Sequence, residues 1–368
     1  MSIDNFIKNL KKYISNVNID INNQSNFKSH HDIIQTILLG YNESKYINLT
    51  PNVLSYKLIK GNSFNHIPII IRKKIINHDS NILQYSFNIN KRTFNVFFHV
   101  FDQGQPSKNV IQQLYNILFL FDYYSRYKSC NKVLNIYIYM CKDLKLLPSS
   151  FKVLDREHIN SAFTYSCSIN NEIYIFRKEE WFKSVIHECM HAFGFDFSQN
   201  YSKHNDIYSS KIIQKHFYVN FDLSLYESYV DMFAIYINSI LFSFYKTYNK
   251  SSPDFVNRVL IKTNTILNNE LIFSMFQSSK ILTYYNINYT DLFYNSKTLH
   301  LYDENTPVFS YFIIKTILFF NFNKFFAWCI QNNSNVFDFE CNNKNKNNNK
   351  LTCNKKIKLF CNFIIQNY

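Results

Sequence analysis

Glycine and proline are scarce in this chain: four glycines and six prolines in 368 residues. So few breakers exclude collagen-like, proline-rich and Gly/Ser-linker architectures, and they make each glycine informative about local backbone geometry. Long apolar runs are missing too. The stretch after Asp231 stays uncharged only from Met232 to Tyr245, 14 residues, where a spanning helix needs ~20. Later apolar segments are interrupted by Lys315, Asn321, Asn323 and Lys324, and Met1 to Asp20 holds no apolar core of signal-peptide length. The eight cysteines, at 130, 141, 167, 189, 329, 341, 353 and 361, form no CxxC pair. In a chain of this length that excludes a small disulfide framework and predicts reduced thiols, and the four C-terminal cysteines are spaced too widely for a second zinc site. These absences predict a soluble, cytoplasmic protein without a membrane span.

Acidic residues are also in short supply, 26 against 40 Lys and Arg, for a net charge of +14. Six lysines and no acid fall between Asn342 and Lys358, and Arg72-Lys73-Lys74 forms a second basic cluster. This predicts a solvated basic tail able to make weak contact with nucleic acid or an anionic surface; no nucleic-acid-binding module accompanies it. What the chain has in quantity is apolar surface, 46% hydrophobic and 18% aromatic, enough to bury a large core.

One short motif carries chemistry. His187-Glu188-Cys189-Met190-His191 is an HExxH pentad inside a helical pattern, with Gly194 three residues on. Positions i and i+4 share a helix face, so His187 and His191 can present two imidazole nitrogens to one tetrahedral Zn²⁺, with Glu188 beside the water that the metal activates. The pentad alone is a weak signal; its surroundings strengthen it. Phe182, Val185, Ile186, Cys189, Met190 and Phe193 form an apolar stripe with helical spacing, leaving Ser184, His187, Glu188 and His191 to line a cleft. Glu179 and Glu180 suit the first turn, and Gly194 suits a left-handed helix end. Cys189 lies on the apolar stripe and reads as core.

A third ligand is needed. From Leu223 to Tyr245 the only charges are Glu227 and Asp231, four apart and therefore on one helix face. Buried carboxylates need partners, which a metal and a ligand histidine would supply; the alternative is a purely structural helix pair in which a lysine or tyrosines bond them. Asp196 and His204 are competing ligands. The metzincin pattern HExxHxxGxxH places its third histidine at Phe197, which cannot bind metal, and Asp196 falls one residue short.

HExxH on one helix with ExxxD on a later one resembles the gluzincins, the thermolysin-like clan of zinc metallopeptidases. Glu179-Glu180-Trp181-Phe182 and Tyr226-Glu227-Ser228-Tyr229 are similar to metallopeptidases of large DNA viruses, which places the chain in the host cytoplasm or a virion. The resemblance covers residues 160 to 240. It implies one Zn²⁺ held by His187, His191 and Glu227, Glu188 as general base, Asp231 as acceptor from His187, and a peptide or protein substrate. It also implies an α+β, zincin-like two-lobed fold: a mixed sheet and the active-site helix in an upper lobe, an all-helical lower lobe.

The expected organisation is a mixed N-terminal region over 1–80, opening with an amphipathic stretch through Ile14 and a helical piece near His31 to Leu39. An upper lobe over 81–200, a lower lobe over 201–335 and a basic tail over 336–368 follow. Strands are expected at Phe94 to Phe101 and Val133 to Met140, with a helix at Ser107 to Tyr127 between them. Asn160 to Thr164 should pair with Glu172 to Arg177 through a turn at Asn170-Asn171, and the resemblance makes Ala162 and Phe163 part of a substrate-binding edge strand. Helices are expected at 224–249, 253–285 and 307–331. Tyr311, His300 and His204 are candidates to stabilise an oxyanion. Rival functions are a virion or nucleic-acid-associated protein with an incidental pentad, and a zinc hydrolase of a non-peptide bond.

Overall fold

The computed structural model describes residues 19–21, 26–54, 61–77, 81–100, 105–125, 127–198, 203–248, 254–295, 298–340 and 352–368. The amphipathic stretch expected through Ile14 lies outside them. The protein is α+β and contains two compact units, each discontinuous in sequence. One unit takes in Asp32–Leu147 and Arg156–Phe195; the other takes in Met1–His31, Pro148–Asp155 and Asp196–Tyr368.

The first unit is built on a sheet. In chain order its elements are α1 (Phe27–Glu43, which starts just ahead of the unit), β1 (Asn52–Leu54), α2 (Ile69–Ile76), β2 (Asn81–Ile89), β3 (Arg92–Val100), α3 (Lys108–Ser125), β4 (Val133–Cys141), β5 (Ala162–Thr164), β6 (Asn170–Arg177) and α4 (Trp181–Ala192). The six strands run in the order β1-β2-β3-β4-β6-β5. The pairs β3–β4 and β4–β6 are parallel; the other three are antiparallel. Parallel neighbours need a crossover, and α3 supplies it between β3 and β4. The helix expected near His31 to Leu39 is α1, longer at both ends.

Register is visible in one ladder of rings. Phe97, Tyr137, Tyr174 and Phe163 are partners on β3, β4, β6 and β5, and their rings stack at 5.0, 4.9 and 4.7 Å between centroids. Aromatic cross-strand pairs of this kind resist the one-residue slip that would turn every side chain to the other face. Ile71 and Ile75 of α2 belong to the same buried cluster. Gly61 lies so close to the ladder that a Cβ there would sit 2.0 Å from the Tyr174 hydroxyl.

Two local expectations fail here. Asn170 and Asn171 belong to β6, and the hairpin turns at Ser166 and Cys167. The Asn171 side chain bridges the hairpin instead, donating to the Tyr165 carbonyl at 2.7 Å. The thiols are not all reduced: Cys130 and Cys167 form a disulfide, with Cα atoms 4.7 Å apart, and Cys353 is disulfide-bonded too. Asn131 N donates to the Ser168 carbonyl at 2.8 Å, so the backbone brings the first pair together. Cys141, Cys189, Cys329 and Cys361 are free and buried.

The elements of the second unit are helices among the described residues, with isolated bridges such as that between Leu154 and Glu304. Its longer helices are α5 (Lys203–Ile213), α6 (Leu225–Thr247), α7 (Phe255–Tyr284), α8 (Lys315–Phe320), α9 (Phe322–Asn332) and α10 (Cys353–Gln366). The helices expected at 224–249 and 253–285 are α6 and α7, which pack on each other. The helix expected at 307–331 is broken. A π turn occupies Ser310–Ile314, and Ser310–Phe320 meets Phe322–Asn332 at a bend of 92°. Asn321 makes the break: its backbone leaves the helical region, and its side chain donates to the carbonyls of Ile317 and Asn367. Among the described residues no single helix is long and apolar enough to cross a membrane; this bent pair passes by length and composition.

The basic tail also needs correction. Residues 341–351 lie outside the described residues, but 353–366 form α10, with Cys353, Ile357, Phe360, Cys361 and Ile364 buried at helical spacing. Lys356 is itself buried. Its Nζ donates to the Glu340 carbonyl at 3.3 Å and lies 4.5 Å from the Phe339 ring centre.

Candidate metal centre

The helix that carries the pentad is anchored at both ends. At its start Glu180 adopts a left-handed conformation (φ 56°), so Glu179 and Glu180 precede the helix and do not sit in its first turn. They are held by Lys145, whose backbone N–H reaches Glu179 Oε2 and whose Nζ reaches Glu180 Oε2, both at 2.9 Å. At its end Gly194 has φ 68°, Gly194 N–H donates to the His191 carbonyl and Phe195 N–H to the Met190 carbonyl. That pair of bonds is a Schellman motif, the left-handed ending expected of Gly194. The His191 carbonyl also accepts from Cys167 N–H at 3.2 Å, tying the disulfide-bearing turn to the end of the helix.

Burial follows the expected stripe on α4 except at Phe182, which is half-buried near the helix start. Val185, Ile186, Cys189, Met190 and Phe193 are 0% exposed, whereas Ser184, His187, Glu188 and His191 retain 6–8%. Phe193 packs on Phe94 of β3 and Phe121 of α3. One face is therefore sealed against the sheet and the other keeps limited access. Burial pushes the Cys189 thiol up, which suits a core residue and not a nucleophile.

Glu227 lies in the first turn of α6, where the positive end of the helix dipole favours an ionised carboxylate. It is half-buried; Asp231, one turn on, is buried, with Oδ2 3.4 Å from Nζ of Lys315. A lysine partner for one of these acids is among the arrangements that the sequence left open.

His187, His191 and Glu227 form a group that could hold a metal ion: one ligand atom from each lies within 4.8 Å of the others. The two Nε2 atoms are 3.2 Å apart. Nitrogens bound 2.0–2.1 Å from one tetrahedral centre are about 3.3–3.4 Å apart, so this separation suits two lone pairs converging on a cation. An N–H···N bond between two neutral imidazoles gives a similar distance. With the carboxylate beside them, the two imidazoles make up a donor set common for a divalent metal.

Asp196 is outside this group. It is buried, and Oδ1 accepts from the Ser198 hydroxyl at 2.9 Å. The side chain of His204 lies outside the described residues. Tyr311 is on the π turn, and His300 is exposed on a short helix, Thr298–Leu301. Among the described residues β5 is an edge strand, paired only with β6. Ala162 is buried, and the Phe163 ring is committed to the aromatic ladder, so β5 offers its backbone edge and not these side chains for further pairing. Sequence alone marks Lys315 only as an interruption of an apolar segment; that it is the partner of Asp231 is the feature missed, and a lone lysine in an apolar segment was the available signal.

Comparison with protein-family models, with curated proteins and with solved structures gives no match for this chain.

Proposed function

We propose that the protein is a zinc-dependent metallopeptidase of gluzincin type. The observation that carries the reading is the convergence of His187, His191 and Glu227. The donor set fits Zn²⁺: two imidazoles and one carboxylate leave the fourth position free, as catalytic zinc sites do. A magnesium or calcium site would be built from oxygen ligands.

When bound, the zinc supplies Lewis acidity, polarising the scissile carbonyl and lowering the pKa of water. The chain's own residues do the rest. His187 and His191 hold the metal from one face of α4, which the Schellman ending and the Cys167 contact keep fixed. Glu188, next to the first ligand and 6% exposed, accepts the proton of the attacking water and returns it to the leaving amine nitrogen. Glu227 brings a negative charge that strengthens metal binding. Asp231 orients a ligand histidine, and the free edge of β5 pairs with an extended peptide.

A structural reading draws support from the Lys315–Asp231 ion pair, which compensates one of the two acids without any metal. The deciding experiment combines metal content with cleavage of a peptide library by wild type and Glu188→Gln. Zinc in both proteins and turnover in wild type alone is the expected result. Zinc with equal turnover in both removes the mechanism, and no zinc removes the site.

A further inference from the structure

Lys315 is a cation inside an apolar helical layer, 6% exposed. An ammonium group so placed needs compensation, and it lies 3.4 Å from Asp231 Oδ2 and 5.7 Å from the centre of the Phe312 ring. Asp231 and Glu227 are one turn apart on α6, so the cation is held on the face that presents the proposed carboxylate ligand.

The backbone leading to Lys315 is unusual. Ser310–Ile314 forms a π turn, and Lys315 opens the α-helix that follows. One extra residue in a turn rotates all later side chains by about 100° around the axis, so the widening determines which neighbour Lys315 meets. Side chains hold the wide turn in place. Ser278 of α7 and Thr316 both donate to the Phe312 carbonyl at 2.6 Å, and their hydroxyls lie 2.8 Å from each other. Turns of this kind depart from regular helical hydrogen bonding and occur frequently at functional sites.

We infer that Lys315 is a positioning residue for the metal-binding face of α6: its ammonium fixes the Asp231 carboxylate one turn from Glu227, and the π turn exists to deliver it there. The inference rests on the metal reading above. Lys315 acts through Asp231 and does not touch the reacting atoms.

The test uses full-length protein loaded with Co²⁺ as a spectroscopic stand-in for zinc. Affinity is read by chelator competition and ligand geometry by the visible ligand-field absorption. Lys315→Met is expected to weaken Co²⁺ binding by ~10-fold to 100-fold, the range for loss of an outer partner, and to change the absorption band. Lys315→Arg keeps both close to wild type. In an Asp231→Asn background Lys315→Met changes affinity by less than ~3-fold, because the group through which it acts is already neutral. This background leaves no buried charge unpaired after the second substitution, so it keeps the comparison available if Lys315→Met alone does not fold. A wild-type spectrum and affinity in Lys315→Met, or an equal loss in both backgrounds, overturns the inference while leaving the metal reading intact. Failure of wild type to take up Co²⁺ or Zn²⁺ overturns the metal reading first.

Discussion

Buried histidines occur in two settings in this molecule. His30 on α1 is 0% exposed, stacked 4.2 Å from Phe326 and hydrogen-bonded to the Tyr236 hydroxyl; His99 on β3 is 3% exposed with its ring 4.2 Å from that of Tyr139. Burial lowers the pKa of each to about 3, so both are neutral aromatic packing groups at ordinary pH. His187 and His191 are slightly more accessible, face one another and have a carboxylate within reach. Burial of an imidazole therefore says little about metal binding. A second donor at ligand distance and a remnant of access are what set the pentad apart.

The comparison can be broken most sharply at the acid beside the ligands. Glu188→Gln should lower peptide hydrolysis by ~10²-fold to 10⁴-fold while zinc content, measured by atomic emission, stays at the wild-type level. Loss of zinc along with activity would make Glu188 a ligand. Next in size is Glu227→Ala, expected to weaken zinc binding in chelator competition by more than the ~100-fold typical of an outer partner. Asp196→Ala should leave affinity nearly unchanged, and the reverse ranking would move the third ligand to the end of α4. Asp231→Ala should fall between them, at ~10-fold to 100-fold.

The packing histidines give a different signature. Each has a folded-state pKa of about 3, well below its ordinary 6.5. Below pH 6.5 the unfolded chain takes up protons that the folded chain does not, so the stability contribution is complete above pH 6.5 and is lost as pH falls towards 3. Each residue should cost about 1.4 kcal/mol per pH unit in that window. Urea unfolding at pH 7 and pH 5 measures the slope. His30→Phe should reduce it with no change in zinc content; a loss of zinc in that variant would erase the distinction between the two settings.

What the sequence made legible was local. An i, i+4 histidine pair, an apolar stripe and Gly194 all lie within a few turns, and α4 shows each of them; the two lone charges of α6 could be read in the same way. What it hid depends on long-range contact. The Asp231 partner is set by a π turn, which residue periodicity does not reveal. Cys130 and Cys167 meet because the sheet brings two loops together, and spacing alone carries no such distance. The pattern of α10 was present at 353, 357, 360, 361 and 364 but was obscured by lysine and asparagine around it. The Asn170-Asn171 pair resembled a turn, whereas residues of β6 extend through it. The strands β1 and β2 were missed among mixed Ile, Lys and Asn segments.

The central claim is that His187, His191 and Glu227 hold one zinc ion. Metal stoichiometry of the purified full-length chain, before and after dialysis against a weak chelator, tests it most directly. About one zinc per chain in wild type, retained on dialysis and absent from Glu227→Ala, is the result this account predicts. Wild-type protein that carries no zinc and takes none up on titration would contradict it.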